Sequence, residues 1–329
     1  MENATGDCAH GRSRDDPIDL TYNHPDTVMK FNANRRNFLK TTGAALALAG
    51  WSPTWAWAAN QSAPAGRKRA NLKAIMWDTI DVKGSVMERM QAVKAAGFEA
   101  VEMASHMDQK EVLQAREATG LSIVSVCGAK HWGEPLSSPD AKVRASGLAA
   151  LEQTIRDAKA YGATSILLVP GVVNKDTNYE QCWERSIEQI RKAIPLAKDS
   201  GVTISIENVW NNFITEVHQA MEYLDAINSP QVGWHFDVGN IIRYGDPIEW
   251  IQTLDKRIIR VHIKEYSRDR AMRAGDVWKG FGVPLLEGAN NWPGIMKALD
   301  GVGYTGALIT EQGASLPDLS HALDRILAA

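Results

Sequence analysis

Cysteine is scarce in this chain. There are three in 329 residues, Cys8, Cys127 and Cys182, and no Cys-x-x-Cys pair among them. That excludes a disulfide framework and leaves free thiols as the reading. Charge of one sign is lacking too. The net charge is −3 with 23% charged residues, so there is neither the basic stripe of a nucleic-acid binder nor an acidic solvating tail. No apolar run is long enough to span a bilayer. No G-x-G-x-x-G follows an early strand, which counts against a doubly wound open sheet, the runner-up architecture. Internal repeats are absent, and from residue 71 onward so is low-complexity sequence.

The first seventy residues do not read as part of a fold. Residues 1–28 are polar and without periodicity. Asn34-Arg35-Arg36-Asn37-Phe38-Leu39-Lys40 then precedes a mildly apolar, Ala-rich run, Thr41 to Gly50, and Ala56-Trp57-Ala58 supplies a small-residue exit. A charged start, a short apolar stretch and an A-x-A site define an export signal. The Arg35-Arg36 pair resembles a twin-arginine signal over about residues 29–58, which implies the export machinery as a partner and a periplasmic destination. Met29 is a more natural start than Met1. Asn60 to Ala70 contains Pro, Gly and Ser and reads as an unstructured linker.

From residue 71 to 329, short apolar β-branched runs alternate with longer amphipathic stretches. The expected strands are Leu72–Trp77, Phe98–Met103, Leu121–Val126, Ser165–Val169, Val202–Glu207, Val232–Asp237, Ile258–Ile263 and Ala307–Glu311. Their nearly uninterrupted apolar character fits strands buried on both faces. The expected helices are Ser85–Ala96, Asp108–Thr119, Pro139–Tyr161, Tyr179–Ser200, Thr215–Ile227, Pro247–Leu254, Trp292–Gly301 and Pro317–Leu327. Glycines 97, 120, 162, 201 and 303 each stand between a helix and the next strand, as helix stops do. Eight strand–helix units in one domain is the count of a (β/α)8 TIM barrel.

In such a barrel the chemistry sits at the C-terminal ends of the strands. The fifth expected strand ends at Glu207, the sixth at Asp237, the seventh carries His262 and the eighth ends at Glu311. Any one acid in that position reads as readily as a helix cap or a salt-bridge partner, and Asp237 with Asn240 can be read as capping the next segment. Four such groups in register on adjacent strands cannot be explained that way. Three acids and an imidazole converging on one mouth repel each other without a cation. Oxygen-rich ligation with one imidazole suits Mn²⁺ best, with Mg²⁺, Co²⁺ or Zn²⁺ as alternatives.

The segments Ile206-Glu207-Asn208, Phe236-Asp237-Val238-Gly239-Asn240, Val261-His262-Ile263-Lys264 and Thr310-Glu311 resemble the sugar isomerase/epimerase superfamily of xylose-isomerase-like TIM barrels. The likeness covers nearly the whole chain from Leu72. Its nearest branches in pattern are the ketose 3-epimerases, the pentulose-5-phosphate 3-epimerases and the hydroxypyruvate isomerases. The resemblance implies that Glu207, Asp237, His262 and Glu311 ligate the metal and that Glu207 and Glu311 exchange the substrate proton. It also implies that Arg268 holds substrate oxygens. Two positions depart from it. Asn240 stands where free-ketose epimerases carry His, as in the pentulose-phosphate branch, and Phe213 replaces a second Glu. Endonuclease IV shares the fold but needs a His-rich three-zinc cluster and a basic DNA face, which this chain lacks.

The expected reaction is proton transfer through an enediolate on a ketose or keto sugar, with the metal as Lewis acid. Lys264 shares its strand face with His262, so it either touches substrate or pairs with a ligand carboxylate. Glu102, at the end of the second strand, and His131 and Trp132, after the third, are expected to contact sugar hydroxyls. Eleven Trp against six Phe fits sugar stacking as well as core filling, and Trp77, Trp210 and Trp278 are the candidate faces. The Gly-containing loop 268–288 reads as a lid. Export favours a free or oxidised sugar over a phosphorylated one. A keto-glycoside substrate would open a lyase or hydrolase reading, and a non-catalytic sugar-binding barrel is the third reading. A homo-oligomer is left open.

Overall fold

The computed structural model describes residues 69–329. The signal read over residues 29–58, the polar stretch before it, most of the linker and Cys8 lie outside the described residues. Arg69 pairs with Asp300 at 2.7 Å and donates to the carbonyls of Leu327 and Ala329, tying the incoming chain to the C-terminal helix.

Eight parallel strands close on themselves in chain order. They are β1 (Lys73–Met76), β2 (Ala100–Ala104), β3 (Ser122–Cys127), β4 (Ser165–Leu168), β5 (Thr203–Glu207), β6 (Val232–Asp237), β7 (Ile258–Ile263) and β8 (Leu308–Thr310). Closure is made by β1 pairing with β8, Ile75 opposite Thr310. The helices are α1 (Val86–Ala95), α2 (Gln109–Thr119), α3 (Ala141–Tyr161), α4 (Tyr179–Ser200), α5 (Val217–Ile227), α6 (Val238–Ile241), α7 (Pro247–Leu254), α8 (Arg268–Ala274), α9 (Trp292–Gly301) and α10 (Leu316–Ala328).

The strands lie within a residue or two of the sequence expectation. Helix α3 begins at Ala141 rather than Pro139 because the Asp140 side chain accepts from Lys142 N–H at 2.8 Å and fixes the first turn there. Gly120, Gly162 and Gly201 end α2, α3 and α4 with φ of 64°, 75° and 66°, the left-handed cap that glycine adopts without Cβ strain. Two helices were not expected, α6 and α8. Both are short pieces inserted after a site strand, too brief to show a periodic apolar face.

Two apolar layers hold the fold. Outward-facing strand residues such as Val101, Ile166, Ile204 and Phe236 pack under the helices. A smaller inner cluster, including Ala74, Met76, Ala100, Cys127, Leu167 and Ile309, fills the barrel. At the N-terminal end of the barrel Arg260 reaches from β7 to the carbonyl of Val124 (2.8 Å) and the hydroxyl of Thr164 (2.6 Å). Moving up the same strand face by two-residue steps leads from Arg260 to His262 and Lys264, toward the opposite mouth.

Candidate metal centre

Glu207 ends β5, Asp237 ends β6, His262 lies on β7, and Glu311 directly follows β8. Register aligns them: Glu207 is opposite His235, and Asp237 is opposite His262. One ligating atom from each of the four comes within 4.8 Å of all the others. His262 Nδ1 is the hub. It stands 3.1 Å from Glu207 Oε1, 3.0 Å from Glu311 Oε2 and 3.8 Å from Asp237 Oδ2.

The far side of the same ring explains its orientation. His262 Nε2 is 2.7 Å from Glu102 Oε2, with both side chains fully buried. Glu102 comes from β2, across the barrel. A carboxylate acceptor at Nε2 keeps a proton there and aims Nδ1 at the three acids. His235 packs edge-to-face on His262 with centroids 4.1 Å apart, its Nδ1 3.8 Å from Glu102 Oε1.

Asp237 does two jobs. Its Oδ1 accepts the N–H of Asn240 at 2.7 Å, the capping role the sequence allowed, while Oδ2 is buried without a hydrogen bond and faces the cluster. Asn208 holds this turn. Its side chain donates to Asp237 O (2.8 Å) and accepts from Asp237 N (3.0 Å) and Trp234 Nε1 (3.0 Å).

The charges are mismatched in a way that matters. Burial pushes Glu207 up to about 8. Burial also raises Asp237. Burial would raise Glu311 as well, but Lys264 and His262 outweigh it and hold Glu311 well below the usual range. Burial disfavours the His262 imidazolium, yet Glu102, Asp237 and Glu207 outweigh it and raise its pKa. Without a metal these shifts favour a proton on Glu207 and on His262. An orphaned Asp237 oxygen and an imidazole nitrogen facing three carboxylates fit a divalent cation with an oxygen-rich shell.

The remaining expected residues fall out as follows. Lys264 pairs with Glu311 at 3.0 Å and lies 3.8 Å from Asp237, the ligand-pairing alternative. Glu102 is buried under His262 rather than open to a sugar. Asn240 donates its amide to the Asn208 carbonyl at 3.0 Å and accepts from Trp210 Nε1, which makes it scaffolding. Arg268 starts α8 and donates to the Ile242 carbonyl at 2.9 Å. His131 is buried, accepts the Val169 N–H at 3.3 Å and is kept neutral by desolvation. Trp132 packs on the barrel's inner cluster. Trp77 is buried with Arg89 over its ring. Phe213 lies among Tyr179, Trp183 and Tyr223, between α4 and α5.

Two residues that shape the site had no signal in the sequence. Glu265 accepts from Leu286 N (2.9 Å), Trp292 Nε1 (2.8 Å), Asn290 N (3.2 Å) and Tyr266 N (3.3 Å). Gln312, next to Glu311, donates to Phe281 O (3.0 Å) and Val283 O (2.8 Å) and accepts from Glu265 N (2.9 Å). Together they bond the segment expected to be a lid to the barrel, as a wall beside the site.

Known proteins resemble this chain in sequence and in fold. The L-ribulose-5-phosphate 3-epimerase of Escherichia coli is 25% identical over 239 residues, 68% of this chain and 81% of that protein. It is an epimerase, a class of isomerase. The structure of an L-ribulose 3-epimerase superposes with a TM-score of 0.65 at 19% identity, covering 78% of this chain and 94% of that one. A 3-keto-D-glucoside 4-epimerase from Escherichia coli gives 0.64 at 16% identity, covering 78% and 99%. A family model described as the xylose isomerase-like TIM barrel matches residues 90–327. With that match spanning most of its length, the chain belongs to the xylose isomerase-like TIM barrel family.

Proposed function

We propose that this chain is a divalent-metal-dependent epimerase or isomerase of a ketose or keto sugar, in which Glu207 and Glu311 exchange the substrate proton. The observation that carries this reading is His262, pinned through Nε2 by Glu102 while Nδ1 faces three carboxylates. The epimerase activity of the relatives supports it. Glu207, Asp237, His262 and Glu311 would hold the metal, with Mn²⁺ the best match to the donor set. When bound, it would supply Lewis-acid polarisation of the sugar's ketone and neighbouring hydroxyl oxygens.

The residues themselves divide the proton work. Lys264 at 3.0 Å keeps Glu311 ionised, so Glu311 is the group able to take a carbon-bound proton. Glu207, the second carboxylate beside His262 Nδ1 at 3.1 Å, is the group placed to return one. They come from strands three steps apart around the barrel, which lets them flank a substrate. Return to the same carbon on the opposite face inverts it, and return to the neighbouring carbon, with the hydroxyl proton passing from one oxygen to the other, moves the carbonyl. Asn208 and Asn240 hold the Asp237 turn, and Glu102 holds His262, so neither needs to touch sugar.

The test is deuterium incorporation from D₂O into candidate ketoses and keto sugars with Mn²⁺-loaded protein. Exchange accompanied by a new stereocentre supports the proposal. Release of an aglycone instead would place the chain among lyases or hydrolases. Binding without exchange for any sugar would make it a sugar-binding barrel. Export by the twin-arginine machinery to the periplasm is a separate proposal that rests on residues 29–58, and cell fractionation with and without Arg35-Arg36→Lys-Lys tests it.

A further inference from the structure

The wall beside the metal centre carries a row of aromatic faces that the proton chemistry does not use. Lys264 Nζ, 3.0 Å from Glu311, lies 4.9 Å over the ring of Phe281. Phe281 lies 4.7 Å from Trp210, and Trp210 lies 4.6 Å from Trp278, centroid to centroid. The row runs from a residue touching the site out to solvent, where Trp278 is 51% exposed. Among the described residues Trp278 and Met272 are the only large hydrophobic side chains left so open.

These rings are held in place. The Trp210 indole N–H donates to Asn240 O at 3.0 Å, and Tyr266 donates its hydroxyl to Val277 O at 2.9 Å beneath the wall. At Gly280 an added Cβ would come within 2.3 Å of the Tyr266 ring, so the backbone is seated directly on that side chain. Glu265 and Gln312 staple the same segment. A rigid aromatic surface loses little freedom on binding.

Four cations along this wall are already engaged, while Arg273 and Lys279 are exposed on it without converging on one point with the others. Lys264 serves Glu311 and Asp237. Arg268 donates to the Ile242 carbonyl, and Arg270 to the Lys279 carbonyl at 3.0 Å. Arg243 lies over the Trp210 and Tyr244 rings, 4.6 and 5.2 Å from their centroids. A phosphate monoester needs several donors converging on one point. This rim offers flat apolar faces instead, the surface that suits the C–H face of a sugar ring or an aryl group.

We infer that the substrate is a keto sugar bearing a second ring through a glycosidic bond, and that this ring lies on Trp278, backed by Trp210, while the keto ring sits at Glu207 and Glu311. The inference rests on the proposed reading of the metal centre and names its substrate class. The second ring is either another sugar or an aryl aglycone.

The test compares a free 3-keto hexose, its p-nitrophenyl glycoside, a 3-keto disaccharide and ribulose 5-phosphate. Each is measured in two ways: by calorimetric binding to full-length, Mn²⁺-loaded Glu311→Gln protein, and by deuterium exchange with the unmodified protein. The ring-bearing sugars should bind at least about tenfold more tightly than the free sugar. Trp278→Ala should weaken them about tenfold more than it weakens the free sugar, Trp278→Phe should restore most of that difference, and the control Met272→Ala should do nothing. A preference for the nitrophenyl glycoside marks an aryl aglycone, and the reverse marks a second sugar. Equal binding of ring-bearing and free sugars, equal weakening of both by Trp278→Ala, or tightest binding of the phosphate ester would overturn the inference. Absence of exchange with every sugar would instead count against the proposed activity, with the binding comparison still standing on its own.

Discussion

Glu102 on β2 and His262 on β7 meet inside the barrel at 2.7 Å, both sealed from solvent. The contact fixes the tautomer that the metal centre needs, and it raises the basicity of the nitrogen that would bind the metal. Replacing the charged acceptor with a neutral one should therefore weaken the metal without breaking the hydrogen bond. Glu102→Gln is expected to lower Mn²⁺ affinity by about 10–100-fold, measured by chelator competition, with an unchanged far-ultraviolet circular dichroism spectrum. Metal affinity equal to that of the unmodified protein would show that Glu102 merely fills space.

Glu207 and Glu311 are assigned both ligation and proton transfer. Gln keeps an oxygen that can ligate but loses the basic site. Glu207→Gln and Glu311→Gln should each lower kcat by about 10²–10⁴-fold while the barrel stays folded. Metal content must be measured beside activity, because the assignment is about protons only if the variants still load metal. Near-normal turnover in both would remove these residues from the chemistry.

The same groups give the metal-free protein a characteristic response to pH. Glu207 titrates at about 8 in the fold against 4.5 for an ordinary Glu. A group whose pKa is raised on folding contributes stability below its unfolded value and loses it as pH climbs through the folded one. His262, also raised, adds to the same trend from about 6.5 upward. Glu311, lowered, works only on the acid side, where its contribution is lost as pH falls. After chelation the melting temperature should fall between about pH 5 and 8, by on the order of 5–10 °C. Bound metal should flatten that decline, because Glu207 and His262 then hold no proton at Nδ1 or the carboxylate. Metal uptake at pH 7 should release protons, seen as a dependence of calorimetric heat on the buffer's ionisation enthalpy. Uptake with no proton release would contradict the placement of both groups.

How much of this was legible beforehand depended on distance along the chain. The barrel could be read because each buried strand is a short apolar run set off by a cap such as Gly120 or Gly162. Glu207, Asp237, His262 and Glu311 could be read because each sits at a strand end, and strand ends in a closed parallel barrel share one mouth. Glu102 lay at such an end too, but its bond to His262 spans 160 residues of sequence, and nothing local distinguishes an acid that meets sugar from one that meets imidazole. Asn240 and Arg268 were matched to functional positions by pattern, and the bonds their side chains make to the carbonyls of Asn208 and Ile242 could not be read from that pattern. The four bonds accepted by Glu265 depend on how a loop folds back, a property of tertiary packing that residue types alone do not encode.

That loop supplies the last prediction. The segment 277–288 contains four-residue turns and glycines that in isolation read as mobile, yet Glu265 satisfies four donors in it and around it. Removing the carboxylate strands those donors in a buried place, and each unmet donor costs on the order of 1–3 kcal/mol. Glu265→Ala should thus destabilise the protein by roughly 3 kcal/mol or more and should raise hydrogen exchange in the wall while leaving exchange in β1 to β4 low. Gly280→Ala attacks the same wall from its other side, since its methyl would press into the Tyr266 ring and cost about 1–3 kcal/mol. If the wall is a fixed part of the site, both variants should impair sugar binding more than metal binding, because no metal ligand lies in the segment. Unchanged exchange and unchanged sugar binding in Glu265→Ala would mean that the segment moves freely and closes as a lid after all.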